Sequence, residues 1–271
     1  MEPLVSVFIP TYNGAKWVAE SIESVLNQSF TNFILVLSDD CSTDNTIEIA
    51  STFQDSRIII EQNPVNLNLS HNWKLIKNCK TKYFKILMQD DVLTSDCIKT
   101  QVEILENNPN VGITSSSCRL IFIKTQTRLI SNGYSEGLYG DTNSLMRSLL
   151  LKGNRIGAPS QALIRTSTMV SIPNDLDYPY LGELKWYYYI FRQGFSYYHV
   201  SRPLSNYRVQ GEMRTLTLKI KPVDEYRSFI LKYGYFCGVK LTVATMCKLQ
   251  FAEIVRTLNK TVVRLLLHFY V

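Results

Sequence analysis

The sequence predicts an α/β fold with a mostly parallel sheet flanked by helices, and three observations carry that expectation. Apolar, β-branched runs of strand length alternate with helical stretches through residues 1–110. Three of these runs end in polar turns, at Tyr12-Asn13-Gly14, Asp39-Asp40 and Gln89-Asp90-Asp91. The chain has 271 residues, 45% hydrophobic and 19% charged, so it can bury a full core and has neither a disordered nor a fibrous composition. Strands separated by helices imply right-handed crossovers and parallel pairing, and ligands of such sheets bind at the carboxyl ends of the strands.

Leu4–Ile9 reads as the first strand, stopping at Pro10. A helix from about Ala15 to Asn27 follows, with Val18, Ile22, Val25 and Leu26 on one face. Phe33–Leu37 is a second buried strand, and Ser42 or Asp44 can cap a helix running to Phe53. Arg57–Glu61 is a third strand, Ser70–Asn78 a short helix and Tyr83–Met88 a fourth strand. Thr94 or Ser95 caps a helix through Glu106 that stops before Pro109. The second half is less regular, with an antiparallel pair around Cys118–Ile130 and a helix near Leu184–Arg192. These elements predict one domain over 1–215, divided at about 110, and a basic helical tail over 216–271.

Composition narrows the function. The six cysteines form no C-x-x-C pair, and His71, His199 and His268 share no metal spacing, so they read as structural. Neither G-x-G-x-x-G nor G-x-x-x-x-G-K-[ST] occurs, which argues against a dinucleotide dehydrogenase and a P-loop ATPase. Residues 219–271 hold nine Lys/Arg against three acids, which accounts for the whole net charge of +6. A neutral body with a basic tail argues for a local anionic surface and against nucleic acid as a partner. In the tail, Arg256, Lys260 and Arg264 lie opposite Leu258, Val262, Leu265 and Phe269 on a helical projection. That suits an anionic membrane surface, with packing on the body or a partner subunit as the alternative. No apolar run reaches the length of a spanning helix and Met1-Glu2-Pro3 lacks a basic start, so a cytoplasmic chain, peripheral at the inner face of the membrane, is expected.

The chemistry gathers in the polar turns. Adjacent carboxylates repel, so the doublets Asp39-Asp40 and Asp90-Asp91 need a cation or hydrogen-bond donors. Mg²⁺ or Mn²⁺ bridging to a diphosphate supplies the cation, whereas a lone doublet could simply cap the next helix. Two doublets on one sheet edge favour the cation.

Val5-Ser-Val-Phe-Ile-Pro-Thr-Tyr-Asn-Gly14, Val36-Leu-Ser-Asp-Asp-Cys-Ser-Thr-Asp-Asn-Thr46 and Gln89-Asp-Asp91 together closely resemble the nucleotide-binding half of family-2 glycosyltransferases with the GT-A fold. The resemblance extends to about residue 210. It implies an inverting transferase using a nucleoside-diphosphate sugar, UDP or dTDP favoured, and a saccharide or lipid-linked acceptor in cell-surface polysaccharide assembly. Carried over, Pro10, Thr11 and Tyr12 lie against the base, with Asn13 and Asp39 also on the donor side. Asp40 accepts from the base imide, Asp90 contacts ribose or metal, and Asp91 ligates the metal. The family's base, an acid that starts a helix, corresponds to Glu183 in Glu183-Leu-Lys-Trp-Tyr-Tyr-Tyr-Ile-Phe-Arg-Gln-Gly194, with Asp175 and Asp177 as competitors. Arg208, in Asn206-Tyr-Arg-Val-Gln210, corresponds to a cation beside the leaving diphosphate, although a surface arginine is the alternative. Tyr178, Tyr180 and the aromatics of 186–191 divide between core and acceptor cleft. Two departures stand out: Met88 where the family often has an acid, and Cys41 where it has glycine. A nucleotidyltransferase and a catalytically silent nucleotide-sugar-binding or scaffold protein are the rival functions.

Overall fold

The amino-terminal apolar runs are buried on both faces, as strands inside a parallel sheet must be. All seven residues of Val5–Thr11 are buried, and six of the seven in Phe33–Asp39. The computed structural model describes residues 2–67, 79–123, 126–131, 133–169, 172, 182–209, 222–239 and 242. Through them the chain runs β1 (Val5–Thr11), α1 (Val18–Leu26), β2 (Phe33–Asp39), α2 (Thr46–Ser51), β3 (Ile58–Gln62), β4 (Tyr83–Ile86) and β5 (Val92–Leu93). It continues with α3 (Cys97–Asn107), β6 (Val111–Phe122), β7 (Arg128–Ser131), β8 (Gly137–Tyr139), α4 (Thr142–Lys152) and β9 (Ala162–Arg165). The last elements are α5 (Gly182–Arg192), β10 (Ser196–Val209) and α6 (Pro222–Tyr233).

Among the described residues the strands form one sheet in the order β3-β2-β1-β4-β9-β6-β10-β5, with β7 on β6 and β8 on β10. The amino-terminal half, β3-β2-β1-β4, is wholly parallel, as the alternating strands and helices require. β6 and β10 are also parallel, while β5, β7, β8 and β9 join antiparallel. The α/β class therefore holds, with a more mixed second half than the sequence suggests. The expected pair at 118–130 is present as β6 and β7, but β6 begins at Val111.

Two strand ends fall later than expected. β1 continues through Pro10 to Thr11, because β4 has ended by that level and Pro10 has no amide to satisfy there. β2 runs to Asp39, whose carboxylate is taken up by neighbours. The expected helix at Ser70–Asn78, the competitors Asp175 and Asp177, Tyr178, Tyr180, Gln210 and the basic stripe Arg256–Arg264 lie outside the described residues. The part of the expected tail that is described packs onto the body: Phe229 and Tyr233 of α6 are buried against Tyr188 of α5. Their apolar face accounts for that, and the expected boundary near 215 lies outside the described residues. Among the described residues no helix is long and apolar enough to cross a membrane.

The acidic start of α5 is positioned by a close approach at the other end of that helix. A Cβ on Gly112 of β6 would lie 2.7 Å from Ile190 of α5 and 2.7 Å from Phe195. Gly112→Ala should therefore overpack this contact and cost about 1–3 kcal/mol. Urea unfolding checks this; wild-type stability in the variant would show that the helix can retreat freely.

Candidate active site

Parallel register brings the polar turns to one edge, as expected. Thr11 pairs with Asp39 and Asp39 with Gln62, so β1, β2 and β3 end at one level, and Leu87, just after β4, donates to the Phe8 carbonyl. The turn after β1 is then fastened by side chains of the other loops. The amide of Tyr12 donates to Gln89 Oε1 (2.9 Å), that of Asn13 to Ser42 Oγ (2.9 Å), that of Gly14 to Thr46 Oγ1 (2.8 Å) and that of Ala15 to Asp44 Oδ2 (3.1 Å). Gln89 Nε2 returns a bond to the Tyr12 carbonyl at 3.2 Å. A Cβ on Gly14 would lie 2.4 Å from Gln89 Oε1 and would displace the Gln89 amide from its bonds to Tyr12.

The doublet at β2 divides into two roles. Asp39 is fully buried, and its carboxylate accepts from Thr11 Oγ1, Ser42 Oγ, the Ser42 amide and Gln62 Nε2. With four donors on its two oxygens, this carboxylate closes the strand end. Asp40 is 3% exposed, and its Oδ1 accepts from Asn63 Nδ2 (3.0 Å) and the Leu67 amide (2.8 Å). Cys41 has φ of 63°, the left-handed conformation that explains why a relative would place glycine here. Pro10 and Thr11 are buried in β1, and the Asn13 side chain accepts from the Thr43 amide at 2.8 Å. Of the first turn, Tyr12 offers its side chain outward, 47% exposed.

At the second doublet the two carboxyls differ in exposure. Asp91 is 1% exposed, with Ser160 Oγ on its Oδ2 and the Arg208 amide on its Oδ1. Asp90 is half-buried and is the carboxyl at the rim. Burial, with the negative charge of Asp90 second, pushes the Asp91 carboxyl up to about 8. Ser21 of α1 ties the segment down, donating to the carbonyls of Gln89 and Asp91, each at 2.7 Å. Arg208 is not a surface arginine: it is buried, donates to the Asp90 carbonyl at 2.8 Å, pairs with Glu20 and lies 4.6 Å from the Trp17 ring centroid. Met88, at the family's acidic position, packs on the core, and its amide donates to Ser160 Oγ at 3.0 Å.

Glu183 is half-buried at the start of α5, and its Oε1 accepts from Asn154 Nδ2 at 3.3 Å. Burial dominates its titration and pushes it up to about 7, against the hydrogen bonds that favour the carboxylate. Asn154 also clasps Gly157, accepting from its amide and donating to its carbonyl. One short segment therefore holds both acids, Asn154 on Glu183 and Ser160 on Asp91. On β10, burial raises the Tyr207 phenol, and the negative charges of Asp91, Asp90 and Glu183 add to the shift. One phenol thus senses all three carboxyls. Sequence reading singled out none of Asn154, Ser160, Glu20 and Trp17, and met Tyr207 only as the neighbour of Arg208 in Asn206-Tyr-Arg-Val-Gln210; for Asn154, the turn signal Gly153-Asn154 beside a helix end was available.

No group of three or more His, Cys, Asp or Glu that could hold a metal occurs among the described residues. The donor set still fits a divalent ion completed by substrate phosphates, because Mg²⁺-type sites use one or two carboxylates and take the remaining oxygens from substrate and water. The mutual repulsion of Asp90 and Asp91 is what such an ion relieves.

The family model described as glycosyl transferase family 2 matches residues 6–168. A putative teichuronic acid biosynthesis glycosyltransferase, TuaG of Bacillus subtilis, is 26% identical over 214 residues, covering 77% of this chain and 80% of that protein. Other curated relatives are longer, and the chain spans between 20% and 66% of the length of four of them. Among solved structures, S. aureus TarS 1–349 in complex with UDP-GlcNAc aligns with a TM-score of 0.65 at 18% identity, covering 91% of this chain and 69% of that one. The mannosyltransferase PcManGT from Pyrobaculum calidifontis, in complex with GDP-Man and Mn²⁺, gives 0.55 at 17% identity, covering 93% and 69%. Both likenesses show the GT-A fold.

A carboxyl whose folded value is raised stabilises the fold fully below its unfolded value, near 4.5 for Glu183, and that contribution is lost as pH rises through about 7. The stability of wild type relative to Glu183→Gln should therefore fall between about pH 5 and about pH 8. Urea unfolding at both pH values measures it, and a pH-independent difference would refute the raised value.

Proposed function

The chain belongs to glycosyl transferase family 2, and we propose that it is an inverting glycosyltransferase moving a sugar from a nucleoside-diphosphate sugar to a saccharide hydroxyl in polysaccharide assembly. The observation that carries this reading is the joining of two acids by one segment: Asp91 behind the donor edge through Ser160, and Glu183 through Asn154. An inverting transfer needs a group that takes the acceptor proton as the hydroxyl attacks the anomeric carbon, and a carboxyl titrating near 7 suits that task. Glu183 Oε2 would take the proton while Asn154 fixes Oε1. Asp40 would hold the imide of uracil or thymine, with its Oδ1 already keeping the 63–67 loop in place, and Tyr12 would lie against the base.

Asp90 would hold the divalent ion, Mg²⁺ or Mn²⁺, with Asp91 fixing the segment from behind. That assignment departs from the family correspondence, in which Asp91 is the ligand, because Asp91 is enclosed and Asp90 is at the rim. When bound, the ion supplies positive charge to the departing diphosphate. Arg208 would act through the Asp90 carbonyl as a positioning residue. The relatives' names support the reading: TarS binds UDP-GlcNAc, PcManGT binds GDP-Man with Mn²⁺, and TuaG is named for teichuronic acid. A lipid-linked acceptor and contact with an anionic membrane rest on the basic composition of 219–271.

Titrating UDP with and without Mn²⁺, alongside turnover of UDP-, dTDP- and GDP-sugars, tests these roles. Asp40→Ala should weaken UDP by about 1–3 kcal/mol. Asp90→Asn should remove the Mn²⁺-dependent part of binding. Glu183→Gln should lower kcat about 10²–10⁴-fold with UDP affinity nearly unchanged. UDP binding without turnover of any sugar would leave a nucleotide-sugar-binding protein instead of an enzyme.

A further inference from the structure

A groove of about 500 Å³ runs along α4, apart from the donor edge. Its volume is that of an ordinary ligand site. Tyr134 and Tyr139 line it, their ring centroids 4.8 Å apart. Tyr139 stacks at 5.8 Å on Tyr197, which is fully buried, so the aromatic surface is fixed from behind. Arg147 and Lys152 of α4 and Arg155 beyond it supply three positive charges. Asp141 is the single acid in the lining, and its Oδ1 already accepts from the Ser144 amide at 3.0 Å.

The excess of cations is local, since residues 1–218 are neutral as a whole. Two of the guanidiniums are held in place. Arg155 lies 4.6 Å from the Tyr134 ring centroid and donates to the Gly133 carbonyl at 2.6 Å, while Arg147 donates to the Cys237 carbonyl at 3.2 Å. Each of these bonds uses part of a five-donor fork and leaves donors for a planar anion. Arg155 lies over Tyr134 and Tyr197 stacks on Tyr139, so the two rings wall the groove with apolar edges, and held guanidiniums suit carboxylates. The Arg155 end of the groove adjoins Asn154, which holds Glu183.

We propose that this groove is a subsite for an acidic saccharide, receiving uronate-type residues of the acceptor chain with their carboxylates on Arg147, Lys152 and Arg155. This rests on the reading of Glu183 as the base that faces the acceptor. A phosphate of a lipid carrier is the other source of negative charge; the two planar guanidinium forks beside an apolar wall favour a carboxylate on a sugar ring.

The test titrates the whole chain, without donor or metal, with tetragalacturonate, tetramannuronate and their methyl esters, which keep the sugar and remove the charge. At least one acid form should bind about tenfold or more tightly than its ester, with affinity falling as salt rises. Lys152→Glu and Arg147→Glu, checked for folding by circular dichroism, should each weaken that binding by about tenfold or more. Equal affinity for acid and ester, or binding indifferent to both variants, would overturn the proposal. So would inorganic pyrophosphate binding in the groove while no uronate binds, since that assigns the anion to a lipid carrier. Because no donor is present, carboxylate-selective binding in a chain that transfers no sugar would count against the glycosyltransferase reading alone.

Discussion

The site depends on how the backbone of residues 12–15 finds its hydrogen-bond partners. A turn leaving the middle of a parallel sheet has amides that neither strand nor helix can satisfy; leaving the buried Gly14 amide unpaired would cost about 1–3 kcal/mol, while the exposed amides of Tyr12 and Asn13 could otherwise turn to water. Here the partners are the side chains of Gln89, Ser42, Thr46 and Asp44, drawn from the segments after β4 and β2. The three carboxyl-end loops are therefore one hydrogen-bonded unit. Asp40 and Asp90 take their places from that unit and not from their own strands alone.

A second segment carries this order across to the other half of the sheet. Residues 154–161 bond to Glu183, to Asp91 and to the Ser116 carbonyl of β6, and their return passes through Gly157 at φ of 111°, a conformation other residues adopt only under strain. Behind them, Ser115 donates to the Ile156 carbonyl and joins Tyr197 and His199 in a buried polar chain. Burial holds His199 down at about 4, so this chain stays uncharged at neutral pH. Uncharged support is what a site needs whose own acids are already pushed upward by burial.

Much of this was legible in the sequence where period and local chemistry agree. The strands β1 to β4, the carboxyl-end clusters and a helix near Leu184–Arg192 follow from apolar runs, turn residues and spacing, while Glu183 as its acidic start follows from the family resemblance. The antiparallel strands β5, β8 and β9 were not legible, because strands of two to four residues give too short a pattern to distinguish from turns. The division of roles within each doublet was also hidden. Asp39 and Asp40 look alike in sequence, and only the approach of Thr11, Ser42 and Gln62 saturates the first. Arg208 reads equally as a cation beside the diphosphate or as a surface arginine until the distant Glu20 and Trp17 are brought to it.

The central claim is that the donor edge is assembled before any nucleotide arrives. Amide hydrogen exchange across Tyr12–Ala15, in the chain alone and with UDP and Mn²⁺, tests it most directly. Four satisfied amides should exchange about a hundredfold or more slowly than open loop amides in the unliganded chain, with little further change on adding nucleotide. Exchange at open-loop rates, slowing only when UDP binds, would contradict the account and make the ligand the element that builds its own site.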